Sequence, residues 1–152
     1  MTTHRWHIRP AVDTDRPTLS EIYLSARRAA FTWLDPARFS LEDFASQSKG
    51  EKVFVCADED GAIAGFVSIL ELDGFIHMLY IRASLQGSGA GTALLQALPG
   101  WPHRRYRLKC LVKNTKARSF YERMGFVVTG IGTSAEGNYH DMTLGPTTDR
   151  AG

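Results

Sequence analysis

Short apolar runs alternate with polar turns along the chain, and the spacing of the apolar residues differs from run to run. Continuous or alternating apolar runs predict strands, whereas apolar residues that recur every three or four positions predict helices. Strands are expected at residues 6–10, 53–57, 63–72, 75–81, 106–112, 126–131 and 139–144. Helices are expected at about residues 15–34, 41–48, 92–98 and 115–124. This order of elements predicts a mixed α/β sheet.

Residues with capping or turn preferences mark the ends of these elements. Asp13 or Thr14 is expected to cap the first helix, and Ser40 is expected to cap the second. Gly61 is expected in a hairpin turn, where a positive φ favours glycine. Gly65 interrupts a strand, so we expect a bulge or a close backbone contact at that position.

The composition is that of one soluble domain. The chain has 152 residues, of which 43% are hydrophobic and 22% are charged, and its net charge is +2. We expect a single domain over residues 1–145 and a flexible tail over residues 146–152, because the tail has little apolar surface to bury. The basic cluster at residues 103–107 is interpreted as a solvated loop that enters a strand, so no nucleic-acid partner is expected.

Cysteine usage and the length of apolar runs bear on the location of the protein. Cys56 and Cys110 lie inside apolar, strand-like runs, and we interpret them as core residues in a reducing compartment. Residues 1–10 lack the apolar segment of a signal peptide. No apolar run approaches the ~20 residues that a membrane helix needs. The sequence therefore predicts a cytoplasmic protein without a membrane partner.

A glycine-rich turn between a predicted strand and a predicted helix is the strongest local signal. It reads Gln86-Gly87-Ser88-Gly89-Ala90-Gly91. Backbone amides at the start of a helix lack internal partners and favour negative charge, so the turn is a candidate phosphate cradle. A dinucleotide fingerprint would place glycine where Thr92 stands, and a Walker loop would need a lysine that residues 82–98 lack.

The turn has the Q/R-x-x-G-x-G/A pattern and, with Leu79-Tyr80-Ile81 before it, resembles the acetyl-CoA-binding core of the GNAT superfamily of N-acetyltransferases. A second stretch, NTKARSFYERMGF at residues 114–126, is similar to the same family's N-x-x-A-x-x-F-Y-x-x-x-G-F pattern. The resemblance extends from about Trp6 to Leu144. It implies a mixed, mostly antiparallel central sheet of about seven strands flanked by about four helices.

The resemblance also implies where acetyl-CoA binds as cosubstrate, without a metal. The pantetheine arm is expected along the backbone of residues 79–81, the pyrophosphate on the amides of residues 87–92, and Asn114 beside the coenzyme. The expected cofactor-binding residues are Leu79, Tyr80, Ile81, Gln86, Gly87, Ser88, Gly89, Ala90, Gly91, Thr92 and Asn114. A bulky side chain at Gly89 or Gly91 is expected to fill the space that the pyrophosphate needs.

Tyr121 is the general acid that the resemblance implies. It lies about 100° around the helix from its neighbour Phe120, which is expected in the core. A tyrosine near its ordinary pKa of ~10 is a suitable donor to a thiolate whose parent pKa is ~8.5. The family's glutamate positions are occupied by Lys109 and Phe75 here.

His77 is therefore the candidate general base, either directly or through water. The alternative is that it is a core histidine bonded to a neighbouring strand. Glu71 and His140 are weaker candidates, and Glu71 is better explained as a solvated carboxylate at the end of a strand.

The acceptor pocket is expected between the first two helices and the last hairpin. Phe31, Trp33 and Leu34, with Tyr139, are expected to form an apolar wall, and Glu71 is a further acceptor-contact candidate. The alternative is that the aromatic residues belong to the ordinary core.

Together these features predict an N-acetyltransferase acting on a primary amine of a small molecule or amino-acid-like acceptor, as a monomer or homodimer. The alternatives are a protein N-terminal or lysine acetyltransferase, a non-catalytic acyl-CoA-binding sensor domain, and another kind of phosphate-binding module. Tyr121 favours catalysis over the sensor, because a domain that only binds acyl-CoA needs no acid at that position.

Overall fold

A computed structural model describes residues 5–144, which form one seven-stranded sheet with helices on both faces. The strands are β1 His7–Pro10, β2 Lys52–Ala57, β3 Ile63–Leu70, β4 Phe75–Ile81, β5 Tyr106–Leu111, β6 Val127–Ser134 and β7 Gly137–Leu144. The helices are α1 Arg16–Ala30, α2 Asp43–Gln47, α3 Ala90–Gln96 and α4 Thr115–Arg123. The strand order is β1-β2-β3-β4-β5-β7-β6, and only the β4–β5 pair is parallel. The mixed, mostly antiparallel sheet predicted from the sequence is confirmed.

The parallel pair β4–β5 is short and then opens. Its register contains only Phe75 opposite Arg107 and Ile76 opposite Leu108. Beyond Ile76, no strand of the described chain pairs with that side of β4. The two strands therefore diverge in the middle of the sheet and leave a cleft between them.

A β-bulge in β4 coincides with the start of this divergence. Ser68 of β3 pairs with Met78 and the next residue of β3 pairs with Ile76, so His77 is the extra, unpaired residue. Residues two apart on a regular strand share a face, but the bulge breaks that alternation. Ile76 consequently packs into one core cluster and Met78 into the other, on the opposite side of the sheet.

The two faces of the sheet carry separate apolar cores. One core lies beneath α3 and α4, and its members include Leu94, Leu95, Tyr106, Phe126 and Met142. The other lies beneath α1 and α2, and its members include Leu19, Ile22, Tyr23, Phe44 and Phe66. The four helices thus pack on both faces of the sheet, and the cleft between β4 and β5 stays open at its edge.

Several predicted details of the turns and the core are confirmed. Gly61 has a φ of +88° in its hairpin turn. A Cβ on Gly65 would lie 2.5 Å from the Tyr80 carbonyl oxygen, so this glycine permits a close contact between strands. Cys56 and Cys110 are both buried and free.

Some predicted element boundaries are wrong. At the starts of the first two helices, carboxylate side chains form hydrogen bonds that the sequence pattern did not reveal. The first α-helix begins at Arg16, since residues 13–15 form a 3₁₀ turn in which the Asp15 carboxylate accepts from the Val12 amide. The second begins at Asp43, whose carboxylate accepts from the amide and hydroxyl of Ser40. The strand expected to reach residue 72 ends at Leu70, where a 3₁₀ turn follows.

Other boundaries shift by one to four residues. Helix α3 begins at Ala90 rather than Thr92, because Gly89 is its N-terminal cap residue.

The predicted tail at residues 146–152 lies outside the described residues. In the described part of the chain, none of the helices combines the length and the apolar character needed to cross a membrane.

An ion pair fastens β1 to the turn before α1. The Arg9 guanidinium lies 2.7 Å from the carboxylate of Asp15, whose side chain is 9% exposed. The hydrogen bond from Arg9 holds the pKa of Asp15 below its ordinary value and outweighs the opposing effect of burial. A carboxyl whose folded-state pKa is depressed stabilises the fold above its unfolded pKa, and this stabilisation is lost as the pH falls through the folded value.

Asp15→Asn is therefore expected to lower the free energy of unfolding by about 1–3 kcal/mol at neutral pH. The deficit should shrink as the pH falls below about 4, because the carboxyl of the unfolded chain takes up its proton there, before that of the folded protein. Asp13→Asn is the matched control, because that carboxylate is 99% exposed in the same turn. Urea denaturation at a series of pH values measures both variants, and equal stabilities for them at neutral pH would contradict the assignment.

Candidate active site

A cavity of about 370 Å³ lies where β4 and β5 diverge. It is bordered by α1, by α4 and by the hairpin of β6 and β7. Its wall includes Tyr23, Arg27, Phe31, Phe39, Gln47, His77, Leu79, Tyr80, Lys109, Cys110, Asn114, Tyr121, Glu136 and Tyr139. The structure thus brings together predicted site residues that are far apart in sequence, from Phe31 to Tyr139.

The glycine-rich turn joins β4 to α3. Gly87 and Gly89 have φ values of +82° and +92°, which L side chains rarely adopt. The Trp6 indole donates a hydrogen bond of 3.2 Å to the Ser88 carbonyl oxygen. The Ser88 hydroxyl is buried and has no hydrogen-bond partner within residues 5–144. A turn with an unpartnered hydroxyl beside the first amides of a helix fits an anionic group.

Gly91 lies where α3 packs against α4. A Cβ built on it would lie 3.2 Å from the Phe120 ring, so the missing side chain allows α3 to pack closely on α4. That a bulky side chain at this position would also fill the space for the pyrophosphate stays a prediction. Gly89 has no comparable neighbour, since the nearest atom is the Trp6 Nε1, 3.9 Å away.

Tyr121 lies on α4 and faces the cavity, whereas its neighbour Phe120 packs towards α3, as expected. Its ring packs edge-on against Phe126 with centroids 5.7 Å apart. Burial, with a smaller contribution from Cys110, raises the pKa of Tyr121 well above its ordinary value. The expectation of a pKa near ~10 is thus wrong, and the hydroxyl stays protonated at neutral pH. Within the described chain that hydroxyl has no hydrogen-bond partner.

Asn114 occupies the start of α4 and lines the same cavity. Its side-chain oxygen accepts a hydrogen bond of 3.3 Å from the Ala117 amide, so the residue is the helix cap. The cap fixes the direction of the helix that carries Tyr121. Contact between Asn114 and the coenzyme stays a prediction.

His77 lies in the cavity wall, and its side chain is 33% exposed. Its Nδ1 lies 2.6 Å from an oxygen of Glu51, a residue just before β2 whose side chain is 6% exposed. The Ser68 hydroxyl donates to the other oxygen of Glu51. The alternative of a core histidine bonded to a neighbouring strand does not describe this partly exposed ring. The sequence analysis did not identify Glu51. Its contact with His77 depends on how β2 and β4 are aligned on either side of β3, which no local pattern reveals.

The weaker candidates for the base lie elsewhere. Glu71 lies in the 3₁₀ turn after β3 and forms an ion pair of 3.3 Å with Lys52, outside the cavity wall. This agrees with its interpretation as a solvated carboxylate. His140 accepts a hydrogen bond of 3.2 Å from Arg118, since guanidinium groups only donate, and it does not line the cavity either.

The predicted apolar wall is only partly assembled. Phe31 and Tyr139 line the main cavity, as expected. Trp33 lines an adjoining cavity of about 300 Å³, and its indole donates to the Glu136 carbonyl oxygen at 2.9 Å. Ser134 and Glu136 border both cavities.

Charged residues in the wall were missed by the sequence analysis. The buried Arg27 bonds to Asp43 at 3.0 Å and lies over the ring of Tyr23. The Lys109 ammonium lies 4.8 Å from the ring centroid of Tyr139. Glu136 pairs with Arg38 at 3.6 Å. Lys109 was recognised only as a departure from the family pattern, and the other charges carry no motif.

Comparison with known proteins agrees with this arrangement. Residues 16–126 match the model of the acetyltransferase (GNAT) family. The chain is similar to the 5-NmdU N-acetyltransferase of Pseudomonas phage PaMx11, with 30% identity over 100 residues that cover 62% of this chain and 71% of the relative. The chain belongs to the GNAT family, and it is an acetyl-CoA-dependent N-acetyltransferase.

Solved structures show the same fold. The chain is similar to apo YjaB from Escherichia coli, with a TM-score of 0.77 and 20% identity over 93% of this chain and 99% of that one. It is also similar to yncA from Salmonella typhimurium, solved with its cofactor acetyl-CoA, with a TM-score of 0.64 and 22% identity over 92% and 93% of the two chains. At these identities the likeness concerns the fold.

Residues 5–144 contain no cluster of three or more metal-ligating side chains.

Gly89→Ala is expected to weaken CoA binding by at least tenfold, because a side chain at this positive φ forces the turn to rearrange. Gly61→Ala is the matched control, since Gly61 has nearly the same φ of +88° in a hairpin turn with no atom within 4 Å of an added Cβ. Both variants should lose similar stability, about 1–2 kcal/mol. Calorimetric titration with CoA separates them, and equal affinities for the two folded variants would show that the turn does not hold the coenzyme.

Proposed function

We propose that this protein transfers the acetyl group of acetyl-CoA to the primary amine of a small, amino-acid-like acceptor by direct attack, with Tyr121 as general acid and His77 as general base. The observation that carries this proposal is that Tyr121 and His77 both line one cavity, at the point where β4 and β5 diverge. An acid on α4 and a base on β4 that line the same cavity suit a reaction that moves two protons.

Backbone groups on β4 and in the glycine-rich turn support the proposed binding of the pantetheine arm and the pyrophosphate. The pantetheine arm would lie against β4, because beyond Ile76 no strand pairs with that side of its backbone. The pyrophosphate would lie on the amides from Gly87 to Thr92, near the unpartnered Ser88 hydroxyl. Bound in this way, acetyl-CoA supplies an activated acetyl carbon at the cavity.

The proposed step forms one bond and breaks another. The amine nitrogen bonds to the acetyl carbon and the carbon–sulfur bond breaks. His77 accepts the proton that the nitrogen loses, and Tyr121 donates a proton to the departing sulfur. Exchange with water then restores both residues.

The raised pKa of Tyr121 is compatible with this donation. The same cavity raises the pKa of the Cys110 thiol to about 11, and the cause is burial. A departing thiolate in this cavity would become more basic for the same reason. The pKa values of donor and acceptor would therefore rise together, which keeps proton transfer between them accessible.

Cys110 also bears on whether the acetyl group passes through the enzyme. A cysteine nucleophile reacts as its thiolate, and such residues have depressed pKa values. Since the pKa of Cys110 is raised to about 11, this thiol is neutral at physiological pH. This favours direct attack by the acceptor over a covalent acetyl-enzyme.

The acceptor class follows from the size and charge of the cavity. Its volume of about 370 Å³ is near the lower end for small-molecule sites. Lys109 and Glu136 contribute one charge of each sign, and Phe31 and Tyr139 contribute apolar surface. Such a wall is complementary to a molecule that carries an ammonium, a carboxylate and an apolar portion.

A panel of acceptors with acetyl-CoA tests the proposal through release of the CoA thiol. The panel contains amino acids, simple amines, polyamines, peptides with free N-termini and 5-NmdU, for which the phage relative is named. Amino-acid-like amines are expected to give the highest kcat/KM. Preference for peptides would instead support the protein acetyltransferase. CoA binding without turnover of any acceptor would support the sensor domain.

Tyr121→Phe is expected to lower kcat by about 10²–10⁴-fold with little change in acetyl-CoA affinity. Only the hydroxyl is removed, so the loss should be confined to the transition state. Tyr106→Phe is the matched control, because that buried hydroxyl donates to the Pro99 carbonyl oxygen, away from the cavity. Single-turnover rates measure the chemical step directly. A folded Tyr121→Phe enzyme with the wild-type single-turnover rate would exclude Tyr121 as the acid.

A further inference from the structure

The ring of His77 is the end of a hydrogen-bonded chain that begins inside the sheet. The Ser68 hydroxyl, on a fully buried residue of β3, donates to one oxygen of Glu51. The other oxygen of Glu51 lies 2.6 Å from His77 Nδ1. Two strands and the residue before a third therefore contribute to one chain: β3 carries Ser68, β4 carries His77, and Glu51 directly precedes β2.

Glu51 is unusual among the carboxylates of the described chain. Its side chain is 6% exposed, and one of its oxygens faces the imidazole of His77. The nearby Glu71–Lys52 pair joins two side chains that are 40% and 52% exposed. Burying a carboxylate costs free energy unless hydrogen bonds compensate it. The burial of this carboxylate against a histidine ring is consistent with a role in orienting the ring.

The backbone orients the same ring by a second route. His77 is the unpaired residue of the β4 bulge, and bulges re-aim side chains. The ring also stacks on Phe75, with centroids 6.2 Å apart and planes 25° apart. With Nδ1 directed to Glu51, the other ring nitrogen, Nε2, is the one left for the cavity.

We propose that Glu51 is a positioning residue that fixes the proton of His77 on Nδ1, so that Nε2 presents its lone pair to the acceptor amine. A carboxylate only accepts hydrogen bonds, so the ring nitrogen that faces it carries the proton. A neutral imidazole has one protonated nitrogen, and Nε2 is then the acceptor. This inference rests on the proposed function in one respect, that His77 is the base.

The protonation of the ring is measured by ¹⁵N NMR of the full-length protein at about pH 9, where imidazole is neutral. In the wild type, the His77 signals are expected to be those of the Nδ1–H tautomer. In Glu51→Ala they should shift towards the Nε2–H tautomer, which is the more populated form of free histidine. Glu51→Gln keeps a carbonyl acceptor and should retain much of the Nδ1–H form.

Glu59→Gln is the control for the spectra, because Glu59 lies in the exposed hairpin turn between β2 and β3. Its His77 signals should match those of the wild type. If the wild type shows the Nε2–H tautomer, or if the tautomer is unchanged in a folded Glu51→Ala protein, the proposal is overturned. Should Glu51→Ala not fold, the signals of the wild type and of Glu51→Gln decide the question.

Steady-state kinetics test the consequence for the reaction. Glu51→Ala is expected to lower kcat by about 10–100-fold, the loss typical when a residue that orients a histidine is removed. The KM for acetyl-CoA should stay unchanged, and Glu51→Gln should recover most of the rate. In a His77→Ala background, Glu51→Ala should cause no further loss. An equal loss in both backgrounds would mean that Glu51 acts independently of His77 and would refute the inference.

The two measurements separate the possible failures. If no acceptor is turned over, or if His77→Ala is fully active, the proposed function fails, whereas the tautomer measurement still decides whether Glu51 positions the ring. If the enzyme is active and depends on His77, but the ring tautomer does not respond to Glu51, the positioning role fails alone.

Discussion

The end of the β4–β5 ladder after two residue pairs is the constraint on which the rest of this structure depends. A fully paired parallel ladder would fill the middle of the sheet with backbone hydrogen bonds and leave no room for a ligand. Because pairing stops at Ile76, β4 keeps unpaired backbone on one side and β5 bends away towards β7. The cavity and both proposed proton-transfer residues lie along this gap, and so do the backbone groups proposed to hold the pantetheine arm.

The gap is sustained by cores on both faces of the sheet rather than by the strands that border it. The bulge at His77 lets β4 send Ile76 into the core under α3 and α4 and Met78 into the core under α1 and α2. A strand anchored on both faces holds its position without a neighbour along its edge. The bulge thus helps to hold β4 in place where it has no hydrogen bonds to β5. It also places His77 beside the gap between the two strands.

Local sequence patterns were sufficient for the parts of the site that local backbone chemistry dictates. The glycine-rich turn and the helix that carries Tyr121 were recognisable because each occupies one continuous stretch. Glu51 and Glu136 were not, because they reach the site through sheet register or a hairpin. The raised pKa of Tyr121 was also missed, since it depends on burial among residues from several strands. The start of α1 was misplaced because Asp15 bonds to Arg9 and to the preceding turn.

The close packing of α3 on α4 at Gly91 makes this position a mechanical link between two parts of the site. A single added carbon would press on the Phe120 ring, and Phe120 is the immediate neighbour of Tyr121. The separation of the two helices therefore has a tolerance smaller than one methyl group. A shift of the first turn of α3 towards α4 would press on the residue beside Tyr121, so the packing at Gly91 links the glycine-rich turn to the helix that carries the proposed acid.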